Sequence, residues 1–341
     1  MRAILPLPPR LLVAARLPLR WIVPAGAMLG VLCATSLAAI AWTGTESTWQ
    51  ALAAIGTAVF ATGTLVCCAT LLLRFVRWRH ILQRQGHALP DGFNLRVYLA
   101  GMALSATPGK LGETLRSALL LPRGVSLAQS LAAFVADRLS DVIGVALLGA
   151  LAGLAAGRRQ PVLELIALLA LVGPVWLARQ LRDGWRLQET AAWQRAPASL
   201  QRLAQRAAGP ALVWAGRWTL RPLSAYTATA LVVYGLQAIV FASYVNQLAP
   251  GTGVANCVAI YASATLIGAA TLVPGGLGAM ESVLVLQLHG LGLPLPQAVA
   301  ATLAARVSTL WVGWAIGLAA LLSFAGVLPR APGKSENESA S

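Results

Sequence analysis

The stretch "SATPGKLGETLR" (105–116) sets a Pro-Gly break, a Lys, a Glu and an Arg between runs apolar enough for a bilayer, and "LVPGGLGAMES" (272–282) writes the break again. Proline removes a backbone donor and clashes with the preceding turn, while glycines beside it accept angles that other residues avoid. A helix stopped this way restarts with unpaired N–H groups and the positive end of its dipole exposed. At membrane depth such backbone persists only when buried in protein or lining a wet cavity. Two breaks therefore predict one central polar cavity, with helix N-termini suited to an anion such as phosphate.

Composition supports a membrane setting. The chain is 57% hydrophobic and 11% charged, with mean hydropathy +0.71, whereas soluble domains carry about 25% charged residues. Several runs approach the roughly 20 apolar residues that span a bilayer. The expected class is an all-α polytopic membrane protein. A net charge of +15 would suggest nucleic acid in a soluble chain. Here the arginines fall mostly between apolar runs, so they read as topology signals and no nucleic-acid partner is expected. Cys33, Cys67, Cys68 and Cys257 lie in apolar runs without a CxxC spacing, and His80, His87 and His289 are scattered. No metal site or cofactor is expected.

The walk outward from the first break gives a topology. Residues 1–20 form a basic, cytoplasmic N-terminus, and the run 21–42 is too long for a signal peptide and reads as a retained span. A second span is expected over 51–73. Behind it "RFVRWRHILQRQGHALPDGFNLR" (74–96) sets Arg74, Arg77, Arg79, Arg84 and Arg96 against Asp91 and reads as a cytoplasmic loop. The pieces 97–107 and 111–122 are each too short to cross about 30 Å at about 1.5 Å per residue. They form either one broken crossing or a re-entrant hairpin.

Charge separates the two. After the runs 127–156 and 161–178 comes a segment, 179–221, with eight arginines against Asp183 and Glu189. A crossing at Pro108 would place that segment outside; a hairpin exposes only Arg158 and Arg159. The hairpin is favoured. Trp185, Trp193, Trp214 and Trp218 mark 179–221 as a cytoplasmic interfacial segment. Further runs follow at 224–247, at 254–273 and 277–290 around the second break, and at 297–327. The expected fold is about six full transmembrane helices plus two re-entrant or broken-helix hairpins in one domain, 21–327. Both termini face the cytoplasm, and a polar tail, 328–341, is expected to be disordered.

The two breaks belong to a longer repeat, 97–157 and 254–327. PGKLGETLR is followed by "GVSLAQSLAAFVADRLS", and PGGLGAMES by "GLPLPQAVAATLAARVS". Pro108 matches Pro274, Gln129 matches Gln297, Arg138 matches Arg306 and Ser140 matches Ser308, with one small insertion. By the topology above, the copies open from opposite sides, the inverted arrangement of many transporters.

Ionisable groups inside a membrane default to function, because each costs several kcal/mol unless paired or hydrated. Lys110, Glu113 and Arg116 follow the first break, and Glu281 and Arg306 repeat the acid and base in the second half. Arg138 can pair with Asp141 at i,i+3. Asp137 and Asp141 fit equally a transport role and salt bridges that lock neighbouring helices. Lys110 and Arg116 either line the site or extend to the cytoplasmic face. Glu164 is expected to pair with Arg158 or Arg159.

PGKLGETLR, RLSD, PGGLGAMES and RVSTLW together resemble the lysylphosphatidylglycerol synthase transmembrane region family of flippase-like proteins, over roughly residues 12–327. The resemblance implies a polytopic helical domain that translocates lipids. It carries over to Pro108, Gly109, Gly112, Glu113, Arg116, Arg138 and Asp141, and to Pro274, Gly275, Gly276, Gly278, Glu281 and Arg306. The synthases continue into a soluble aminoacyl-transferase domain; this chain ends shortly after its last span, so a stand-alone member is expected.

The leading expectation is a non-enzymatic translocase in a bacterial inner membrane, with an anionic or isoprenoid-linked envelope lipid as its partner. No P-loop is present in the sequence. Two alternatives remain: an accessory subunit of an envelope-lipid synthesis complex, and an intramembrane enzyme that uses Glu113 or Glu281 as a base on a lipid head group.

Overall fold

The computed structural model describes residues 44–105, 111–157, 161–182, 220–271 and 273–325, with positions 30, 33, 34 and 41. Outside the described residues lie the rest of the expected span 21–42, the segment 183–219, the break at Pro108, Gly109 and Lys110, and the tail 328–341. The side chains of residues 111–115 lie outside them too.

Eleven helices run through the described residues: α1 (Thr45–Ile55), α2 (Thr57–Arg84), α3 (Asp91–Ser105), α4 (Leu111–Leu120), α5 (Leu127–Ala155), α6 (Pro161–Arg182), α7 (Leu220–Leu248), α8 (Val254–Ala270), α9 (Ala279–Gly290), α10 (Leu295–Arg306) and α11 (Val312–Ala325). A π-helical turn, Val307–Trp311, joins α10 to α11. Among the described residues three helical stretches are long and apolar enough to cross a membrane: Thr57–Arg84, Arg221–Leu248 and Leu295–Phe324.

One expectation is corrected at the start. The expected span 51–73 is not one helix: its first residues belong to α1, and Gly56, at φ 79°, parts α1 from α2. The expected cytoplasmic loop from Arg74 onward is helix as far as Arg84. Its charges tolerate this because they are paired: Arg77 with Asp137 and Asp141, and Arg79 with Asp91 at 2.8 Å.

Contacts fix the helix directions. Tyr244 OH donates to the Phe60 carbonyl at 3.3 Å, Gln237 Nε2 donates to Thr70 Oγ1 at 3.0 Å, and the Arg74 guanidinium lies 4.7 Å from the Tyr234 ring centre. Numbers rise along α2 as they fall along α7, so these two helices are antiparallel. The ion pairs Arg74–Asp141 and Arg77–Asp137 make α2 and α5 antiparallel as well. Hence α5 starts at the end of the bundle where α2 stops, with α3 and α4 between them.

Packing across the halves is reciprocal: α3 lies against α11, and α8 lies against α5. Phe93 meets Phe324 edge-on at 6.3 Å. Small residues let the backbones approach: a Cβ at Gly317 would sit 2.7 Å from the Ala103 amide nitrogen and 2.8 Å from the Leu99 carbonyl oxygen.

Local structure repeats at a fixed interval of 168 residues. Helices α5 and α10 begin at Leu127 and Leu295. The turns before them match bond for bond. Val125 N donates to Leu120 O at 3.4 Å and Leu293 N to Leu288 O at 3.2 Å, while Gly124 N donates to Leu121 O at 3.1 Å and Gly292 N to His289 O at 2.9 Å. Gly124 and Gly292 hold φ 82° and 94°, a left-handed helix end that glycine adopts without a Cβ penalty. In this register Glu113 of α4 aligns with Glu281 of α9. Aligning the prolines had set them two residues apart. The extra two residues fall before α9, where Pro274–Gly276 makes a short 3₁₀ turn.

Candidate functional site

The first charged cluster joins α2 to α5. Arg77 donates from Nε to Asp137 Oδ1 at 2.8 Å and from Nη2 to Asp141 Oδ1 at 2.6 Å. Arg138 donates from Nη2 to Asp137 Oδ2 at 2.6 Å and brings Nη1 within 3.2 Å of Asp141 Oδ2. Arg74 reaches Asp141 Oδ2 at 3.9 Å. The Arg77 and Asp137 side chains are fully buried, whereas Arg138 is 39% exposed and forms the open edge. The expected i,i+3 pair of Arg138 and Asp141 is thus one contact in a five-residue network.

Arg116 stands beside this network. It is buried, so it does not extend to the membrane face. Its guanidinium lies 4.6 Å from the Tyr98 ring centre and 5.1 Å from Trp78, and Nη2 donates to the Tyr98 carbonyl at 3.1 Å. Gly101 makes the room: a Cβ there would collide with the Arg116 side chain.

The second cluster is built on the second break. Arg306, buried at the end of α10, donates from Nε to Glu281 Oε1 at 2.6 Å and from Nη2 to the Gly275 carbonyl at 2.6 Å; Nη1 meets Met280 Sδ at 3.2 Å. One guanidinium thereby ties the break to the helix that follows it. Gly275, Gly276 and Gly278 hold φ 64°, 66° and 78°. At Gly276 space is also short, since a Cβ would come within 3.2 Å of Gly268 Cα. Past Arg306 the π-helical turn presents Ser308, 3.0 Å from Thr64 Oγ1 and 2.8 Å from Tyr244 OH. Such turns recur at functional sites.

The expected site residues therefore fall into two groups. Arg138 and Asp141 lie in one cluster with Arg116 beside it; Gly275, Glu281 and Arg306 lie in the other. The groups approach through apolar packing, where Leu119 of α4 and Leu277 of the second break meet the same cluster of Ala100, Ala103, Trp314 and Leu321. Pro108, Gly109 and Lys110 lie outside the described residues, while Gly112 and Glu113 are helical in α4. Sequence reasoning missed Arg74, Arg77, Trp78, Tyr98 and Tyr234. A signal for the arginines was present: Phe75, Val76, Trp78 and Ile81 continue the apolar helix among them.

The sequence model of the lysylphosphatidylglycerol synthase TM region family matches residues 27–317. The chain belongs to this family. The lysylphosphatidylglycerol synthase TM region match spans both charged clusters and the second break, and with the three long apolar stretches it makes the chain a multi-pass membrane protein. No curated protein matches the chain.

Proposed function

We propose that the protein is a non-enzymatic translocase for an anionic lipid or lipid-linked envelope intermediate in a bacterial inner membrane. In this reading about six helices cross the bilayer, α3–α4 and α8–α9 are inverted re-entrant hairpins, and both termini face the cytoplasm. The observation that carries it is directional. Helices α2 and α7, which open the two halves, run antiparallel, α5 returns along α2, and the turns match at 168 residues. Inverted halves with broken helices and charged groups at their junction are the architecture of alternating-access carriers.

Two measurements test this. Reconstituted in liposomes, the protein should scramble fluorescent anionic or isoprenoid-linked lipids faster than empty vesicles do; equal rates across both classes would sink the proposal. In a Cys-less background, Gln83→Cys and Leu127→Cys should label only from the cytoplasm, and Thr45→Cys and Val254→Cys only from outside. Labelling of Leu127→Cys from outside would remove the first hairpin and the inversion with it.

A further inference from the structure

We infer that Arg74 and Arg77, with Arg138 at the mouth, form a binding site for one phosphate-type oxyanion, carried by a lipid headgroup or free. The site lies on α2, outside both breaks. Arg74 precedes Arg84, the last residue of α2, by ten residues, about 15 Å. It is therefore well below the helix end that faces the basic side.

Asp137 and Asp141 occupy Nε and Nη2 of Arg77, but its Nη1 is buried with no hydrogen-bond partner among the described residues. Nε of Arg74 is buried and unpartnered in the same sense, and among the described residues the one acid this side chain reaches is Asp141, at 3.9 Å. Tyr234 faces the Arg74 guanidinium and offers its ring instead of an acceptor. A buried donor left unpaired is costly, so two on successive turns of one helix call for an acceptor that the described residues do not supply. Arginine forks suit a tetrahedral oxyanion, which accepts from several directions at once. Arg138, 39% exposed, supplies the way in and a third cation at the rim. The two aspartates hold Arg77 in place by its other edge, and the Tyr234 ring faces Arg74, so the site is preorganised and not merely charged.

As a headgroup site this rests on the translocase reading, but binding is measured without transport. Dioctanoylphosphatidylglycerol, dioctanoylglycerol and inorganic phosphate would be titrated against the purified full chain, with calorimetry as the readout. The expected result is saturable binding of the phospholipid, none of the diacylglycerol, and an affinity loss of about tenfold or more in Arg74→Gln. Arg74→Gln leaves the Arg77 ion pairs intact. Should it fail to fold, competition on the wild-type protein decides: displacement of the phospholipid by phosphate supports the site, and displacement by the diacylglycerol alone overturns it. Binding of phosphate alone assigns a free-oxyanion site, and binding of the phospholipid alone a headgroup site. Equal affinities for phospholipid and diacylglycerol, or an Arg74→Gln variant that binds as tightly as wild type, overturn the inference. Binding without scrambling would end the translocase proposal and leave the oxyanion site standing.

Discussion

Arg77→Met is expected to be the most damaging single substitution at the α2–α5 interface, with a loss of about 3–5 kcal/mol and little protein recovered from the membrane. Asp137 is fully buried and Asp141 nearly so, and Arg77 donates to both at 2.8 and 2.6 Å. Without it the two carboxylates face each other with Arg138 at an exposed edge and Arg74 at 3.9 Å. An uncompensated buried charge is what makes such a break expensive; removal of the whole pair is not. The double variant Arg77→Met, Asp137→Asn should therefore regain most of the thermal stability, since Asp141 keeps Arg138 and Arg74. A melting curve of each purified variant checks this. An Arg77→Met protein that melts like wild type would show that the pair does not hold α2 to α5.

The same residue shows what was legible in the sequence and what was not. The second break, the helix boundaries near it and the all-helical class were readable, because proline, glycine and apolar run length act locally. The matches of Arg138 with Arg306 and of Ser140 with Ser308 were readable as well, since they keep the 168-residue interval of the folded turns. Arg74 and Arg77 were not. In a membrane sequence an arginine beyond an apolar run reads as the start of a loop; Phe75, Val76, Trp78 and Ile81 carry the apolar pattern onward, but the acids that pair with the arginines stand on α5, some sixty positions on. Glu113 and Glu281 illustrate a subtler failure. Proline is the loudest residue of each break, so it anchors the alignment, yet at the second break the helix starts only after Gly278. Only the matching turns after the two helices, at Gly124 and Gly292, put the two glutamates in register.

That register shapes the last prediction, which concerns Glu281 and Arg306. Arg306→Gln should cost about 3–5 kcal/mol, because Glu281 and the Gly275 carbonyl lose a shared buried donor at the point where the chain has no helical bonds to spare. Glu281→Gln should be milder. Its amide oxygen still accepts from Arg306 Nε, Arg306 keeps Gly275, and the Glu281 side chain is 25% exposed, so the expected loss is about 1–3 kcal/mol. Scrambling should nonetheless fall to the level of empty liposomes in Glu281→Gln, because a carrier that alternates must make and release this charged pair, and a neutral partner changes that balance. Glu113 is the counterpart of Glu281 at the 168-residue interval, and Arg138 that of Arg306. Glu113→Gln should therefore lose scrambling to a similar degree while the protein remains well expressed. Near-normal scrambling by a stable Glu281→Gln, Glu113→Gln double variant would show that both acids are structural ties. Loss in Glu281→Gln alone would show that the halves share a fold without sharing a role.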